Sequence, residues 1–199
     1  MSPSLRIIVA DDEPRMQTYF RKMLPALGHE VVAVAGNGRQ LVEDCKTLRP
    51  DLVITDVKMP DMDGIEAAGE IYRTAAIPVI LISAHHDGEL IERAEADHVM
   101  AYLIKPVKQA HLEPAIAIAM RRFQEFQALR KDTADLRQAL ADRKIIEQAK
   151  GILMTNANLD EQAAFRRLQK LASEKNRKLI EIAHMILTAK EALQPTDRN

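Results

Sequence analysis

The chain has 199 residues and a net charge of −1, with 47% hydrophobic residues but only 4% aromatic ones and no Trp. That length accommodates one large or two small domains, and the core must be built from Leu, Ile, Val, Ala and Met. The single Cys45 excludes an internal disulfide and has no His or Cys at zinc-ligand spacing. No apolar run reaches the roughly 18–20 residues that span a bilayer, and a strand begins by Leu5, leaving no room for a signal peptide. A cytoplasmic protein is expected. Charge is unevenly spread: residues 1–119 carry −6 and residues 120–199 carry +5. An acidic front and a basic back suggest two tasks, the basic half suiting a polyanion.

The first part alternates two periods. Short β-branched runs predict strands over residues 5–10, 30–35, 51–56, 78–83 and 99–104. Helical patterns lie between them, over 14–27, 38–48, 64–73, 87–96 and from 107 onward. Five β-α units in alternation predict an α/β fold with a doubly wound, five-stranded parallel sheet. Continuous apolar runs at residues 7–9, 52–54 and 79–82 suit central strands covered on both faces.

From residue 107 to about 154 the chain holds no Pro but Pro114 and no Gly but Gly151. Pro114 is tolerable only near a helix start, where its missing N–H is not needed. Leu112, Ile116, Ala119, Phe123 and Phe126 follow coiled-coil spacing, which Leu129, Thr133, Leu136 and Leu140 resume after a phase slip. One long amphipathic helix that self-associates through residues 112–140 is expected, giving a homodimer. Asn158, with Glu161 three residues on, fits an N-cap for the next helix, which turns Ala164, Phe165, Leu168 and Leu171 inward. Asn176 is read as the cap of a last helix. Helices this short must pack together to persist.

Ligands of open α/β sheets bind at the carboxyl ends of the strands. Asp11 and Asp12 end the first strand and Asp56 the third. If those strands are neighbours, three carboxylates converge, and they repel one another unless a cation sits among them. Hard oxygen ligands with room for water suit Mg2+. A carboxylate oxygen is then able to attack a phosphoryl group, a reaction that needs positioning and positive charge. Ser83 can donate a hydrogen bond to a phosphoryl oxygen, and Lys105 can pair with its charge.

These residues carry a resemblance. With Asp11-Asp12, Asp56, the loop from Lys58 to Gly64, Ser83-Ala84 and Lys105-Pro106, residues 1–120 resemble the receiver domain of two-component response regulators, a flavodoxin-like fold. The resemblance implies phosphorylation of Asp56 by a partner histidine kinase. It also implies Mg2+ held by Asp11, Asp12, Asp56 and the backbone carbonyl of Lys58, and a cis Lys105-Pro106 peptide. Tyr102 falls where the family has its switch aromatic; a Ser83 hydroxyl pulled toward the phosphoryl group vacates space that the ring can fill. By the same analogy Lys58 and His85 flank the site and tune how fast water removes the phosphoryl group, while His86 has no assigned partner.

The second half clusters its basic residues. The stretches from Arg143 to Met154, from Glu161 to Leu168 and from Leu171 to Leu179 make residues 138–194 similar to the ANTAR domain, a small all-α three-helix RNA-binding module of transcription antitermination regulators. Ala149-Lys150-Gly151 with Leu153-Met154 is the most telling stretch. Residues 112–142 form the long coiled-coil-like linker helix between the two. The resemblance implies binding of RNA stem-loops in leader transcripts, so that a terminator hairpin does not form. Arg143, Gln148, Lys150, Arg167, Lys175, Asn176, Arg177 and Lys178 are the candidate RNA contacts, with Ala149 and Gly151 permitting close approach. Phe165 is expected inside, which argues against aromatic stacking. A DNA-binding helical output controlling transcription initiation is the alternative. A phosphotransfer bundle is excluded, because Glu147 stands where its histidine is needed. No nucleophile–base pair suggests an enzyme.

Overall fold

The computed structural model describes residues 3–84 and 99–193. The chain divides into two compact units, residues 1–127 and 128–199.

In the first unit the strands are β1 (Arg6–Ala10), β2 (Glu30–Ala35), β3 (Leu52–Asp56), β4 (Val79–Ser83) and β5 (Val99–Ile104). They form one parallel sheet in the order β2-β1-β3-β4-β5. Helices α1 (Pro14–Ala26), α2 (Gly38–Leu48) and α3 (Gly64–Ala75) connect them. The helix expected over residues 87–96, with His85 and His86, lies outside the described residues.

Period-2 alternation sorts side chains to the two faces. Ile8, Ala10, Val53, Val79 and Leu81 pack with Leu41, Cys45, Ile65 and Ile71 from α2 and α3. Ile7, Val9, Leu52, Ile54, Ile80 and Ile82 pack with Phe20 and Leu24 of α1. Every residue of β3 and β4 is buried, as the continuous apolar runs require. Asn37 caps α2 by accepting from the Gln40 amide, and Asp63 and Glu66 form a reciprocal capping box on α3.

The long helix α4 runs Gln109–Ala157. Its first turns correct the expected seam. Leu112, Ile116 and Ala119 are buried against the Ile7 face of the sheet, with Phe123 half-buried beside them. The Phe126 ring lies 6.1 Å from that of Tyr72. These residues are the chain's own core. A heptad pattern records an apolar stripe and does not say what covers it. Only the later set stays bare: Leu129, Leu136 and Leu140 are 65%, 67% and 68% exposed.

The second unit packs the end of α4 with α5 (Glu161–Lys175) and α6 (Leu179–Leu193). Ala149, Leu168, Ile182 and Ala183 are its buried centre, ringed by Ile145, Ile146, Leu153, Leu171 and Ile186. Both expected caps move. Asn158 adopts the left-handed conformation (φ 49°) just after α4, and Asp160 caps α5 through the Ala163 amide at 2.6 Å. Asn176, also left-handed at φ 50°, closes α5 rather than opening α6. Phe165 is 37% exposed and outside the core, because Ala164 and Leu168 define the inward stripe and Phe165 sits a hundred degrees from Ala164.

Candidate functional site

Parallel pairing of Ala10 with Thr55, Asp56 with Ile82 and Ser83 with Ile104 places the ends of β1, β3, β4 and β5 on one sheet edge. Asp11, Asp56, Ser83 and Lys105 therefore meet there, three of them buried. Lys105 Nζ lies 3.0 Å from Asp56 Oδ2, 3.2 Å from Asp11 Oδ2 and 3.6 Å from Glu13 Oε1. The Val57 amide donates to Asp56 Oδ1 at 3.0 Å, and the Glu13 amide to Asp11 Oδ1 at 2.9 Å. These bonds fix both carboxylates while leaving their second oxygens toward Lys105. The Lys105 amide donates to the Ser83 carbonyl at 2.8 Å, and the Lys105-Pro106 peptide is cis. Tyr102, half-buried on β5, packs against the Cys45 face of the core. Lys58 is exposed in the loop after β3.

Gly64 holds β3 close to α3. A Cβ there would collide with the Asp56 backbone carbonyl, so only glycine lets α3 start against the end of β3.

Burial raises the Asp56 pKa; the Lys105 hydrogen bond and charge oppose this, and the Asp11 charge adds to it. Burial also raises that of Asp11, against the Glu13 amide and Lys105. Burial disfavours the Lys105 charge too, but Asp56 and Asp11 outweigh it, and its pKa is raised. The site is thus short of positive charge. Asp11 Oδ2 is buried and accepts no hydrogen bond, its ion pair with Lys105 aside. One oxygen each from Asp11, Asp12 and Asp56 lie within 4.8 Å of one another. An all-carboxylate set with a buried oxygen that meets only the Lys105 ammonium among the described residues fits a hard divalent cation such as Mg2+.

In the second unit Lys175, Asn176, Arg177 and Lys178 share the exposed connection between α5 and α6, and Arg143, Gln148 and Arg167 are exposed on their helices. Lys150 is different. It is buried, and its Nζ lies 2.9 Å from Glu147 and 2.8 Å from Glu161. Glu161 stands in the first turn of α5, so Lys150 ties that helix to α4. Glu147 lies three residues before Lys150, a spacing that pairs side chains on a helix and marks this lysine in the sequence. Gly151, next to it, is exposed, and a Cβ there meets nothing within 4 Å. Close helix packing does not explain it, although glycine inside a helix costs roughly 0.8–1.0 kcal/mol relative to Ala.

Comparison with known proteins agrees with both units. The response regulator receiver domain family matches residues 7–117, and the ANTAR domain family matches residues 134–187. The transcriptional regulatory protein PdtaR of Mycobacterium tuberculosis is 39% identical over 182 residues, 92% of this chain and 89% of that protein. A protein-glutamate methylesterase/protein-glutamine glutaminase of Natronomonas pharaonis shares 43% identity over 101 residues, half of this chain but only 28% of that one. Among solved structures, the signal receiver domain of a modulated diguanylate cyclase from Desulfovibrio desulfuricans G20 superposes with a TM-score of 0.58 at 28% identity, covering 61% of this chain and 98% of that one. The receiver domain of a NarL regulator from M. tuberculosis gives 0.57 at 26% identity, covering 60% and 98%. Both structures are receiver domains. No helix among the described residues is long and apolar enough to cross a membrane. The chain belongs to the response regulators, with a receiver domain followed by an ANTAR domain, and is a regulator of transcription.

Proposed function

We propose that this chain is a phosphorylation-dependent transcription antiterminator of the cytoplasm that binds RNA stem-loops in leader transcripts. One observation carries the reading: Asp56 is held with Lys105 and Asp11 at a sheet edge, on the same chain as a basic three-helix unit. An Asp56 carboxylate oxygen attacks the phosphorus of a phosphohistidine on the partner kinase. The new O–P bond forms as the N–P bond breaks, and the imidazole leaves. Asp11, Asp12, Asp56 and the Lys58 backbone carbonyl would hold Mg2+, which would supply the positive charge that the reaction needs. The Lys105 ammonium pairs with the phosphoryl group. Ser83 and Tyr102 then form the two-state element, the hydroxyl moving toward phosphate and the ring following.

The activated chain associates through Leu129, Thr133, Leu136 and Leu140. Three of them are bare leucines at seam spacing, more apolar surface than an isolated helix keeps in water. Arg143, Arg167, Lys175, Asn176, Arg177 and Lys178 contact RNA.

The reading is tested by treating the full chain with phosphoramidate and magnesium. The expected result is phosphate on Asp56, a shift from monomer to dimer on sedimentation, and recovery of RNA hairpins by crosslinking in cells. Recovery of duplex DNA in place of RNA would assign the output to transcription initiation.

A further inference from the structure

The end of α4 and the facing side of α6 enclose a cleft of about 670 Å³, lined among others by Gln148, Gly151, Thr155, Asn156, Leu187 and Lys190. We propose that this cleft holds an unpaired nucleotide of the bound RNA, with Gly151 as the point where the RNA backbone comes closest. This assignment rests on the RNA-binding reading and locates its contact surface.

Three observations converge on it. The first is the glycine. A Cβ at Gly38 would collide with the Met62 backbone and one at Gly64 with the Asp56 backbone, so the fold itself requires both. At Gly151 the space is open. A residue that weakens its helix without serving the fold is explained by something outside the chain that approaches there. The second is the lining. Leu187, with Ile152, offers an apolar floor; Gln148 and Asn156 carry amides that both donate and accept; Lys190 adds a cation, and among the described residues none of the lining is acidic. The Thr155 hydroxyl already donates to the Gly151 carbonyl at 3.0 Å, which leaves the two amides to read a base edge. The third is Lys150. It points into its own domain between Glu147 and Glu161, so the cation beside Gly151 in sequence is unavailable, and Lys190 from α6 is the one the cleft supplies.

Loop bases of RNA are splayed out and read on their edges, whereas bases in duplex DNA stay stacked. A cleft that offers two amides and one ammonium group beside apolar side chains suits the former.

The test uses the full chain, phosphorylated with phosphoramidate, and a library of RNA hairpins with a fixed stem and a randomised loop, at one stated salt concentration. Gly151→Leu is compared with the unsubstituted chain for hairpin affinity and melting temperature. The expected result is a rise in melting temperature, because leucine favours the helix, together with a loss of affinity of roughly tenfold or more, equivalent to about 1.4 kcal/mol. Lys190→Glu is expected to lose affinity with melting unchanged. Equal affinity of Gly151→Leu and the unsubstituted chain overturns the cleft while leaving RNA binding in place. A fall in both melting temperature and affinity overturns it too, since glycine would then serve packing. An unsubstituted chain that captures no hairpin, or only duplex DNA, removes the RNA reading itself and the cleft with it. Altered sedimentation of Gly151→Leu before RNA is added reassigns the cleft to contact between copies.

Discussion

Each unit of this protein sets one lysine against a pair of close acids, with the exposed Glu13 a third and more distant partner in the receiver, and the two arrangements do opposite work. In the receiver the acids are the buried partners: the side chains of Asp11 and Asp56 are 1% and 10% exposed, and that of Lys105 is 17%. In the output unit the lysine is buried, at 8%, while Glu147 and Glu161 are 53% and 71% exposed. Buried carboxylates are strained toward any added cation or phosphoryl chemistry. Exposed carboxylates around a buried ammonium are satisfied by water and lysine together, and make a clamp. Which partner is hidden separates a reactive site from a structural one.

The contrast can be broken by substitution, most severely in the receiver. Asp56→Asn is expected to abolish phosphate incorporation completely, as read by intact mass spectrometry after phosphoramidate treatment; residual incorporation would mean that another group is the acceptor. Lys105→Met leaves two buried carboxylates without their cation and is expected to lower stability by about 3–5 kcal/mol in urea unfolding with chelator present. A loss within experimental error would show the acids to be better solvated than their burial indicates. Magnesium held by the folded site would have no such site in the unfolded chain. It is therefore expected to raise stability by about 2.7 kcal/mol at a hundredfold excess over its dissociation constant, an increment that Asp11→Asn removes. Gly64→Ala pushes α3 off the Asp56 carbonyl and is expected to cost about 1–3 kcal/mol, with slower phosphorylation than in the parent chain.

The smallest effect belongs to the output clamp. Lys150 holds the Glu161 pKa below its ordinary value by a hydrogen bond and by charge. The Lys150 pKa is raised, chiefly by hydrogen bonds to Glu161 and Glu147. The Glu161 contribution is present above its unfolded pKa and is lost as pH falls through the depressed folded value. The Lys150 contribution is present below its unfolded pKa and is lost as pH rises through the raised folded one. Glu161→Gln should therefore lower the melting temperature of the output unit slightly at neutral pH and flatten its decline in acid. An unchanged acid limb would show that the pair is ornamental.

Much of this was legible in the sequence, for reasons that differ by region. Asp11, Asp56, Ser83 and Lys105 stand at strand ends, and a strand end is marked in sequence by the apolar run that stops there; parallel pairing then brings the ends to one edge. The output unit gave weaker signals. Asn158 and Asp160 are both good caps two residues apart, and the decision falls to Asn158 taking a left-handed conformation that closes the preceding helix. Asn176 is ambiguous for the same reason, since asparagine suits either end of a helix. The stripe from Leu112 to Phe123 looked like a seam because periodicity is blind to whether the covering surface is another chain or the protein's own sheet. Charge and the family motif both group Lys150 with its basic neighbours, although burial distinguishes it from all of them.

Cys45 is the only thiol in the chain. It lies in the receiver core, 1% exposed, with burial first and then the Asp44 charge pushing its pKa up to about 12. An alkylating reagent meets no thiolate until α2 lifts from the sheet. The native chain therefore carries its own stopwatch for receiver opening. The labelling rate of one sulfur, followed with and without magnesium or phosphodonor, reports how tightly each state is shut without any probe being introduced.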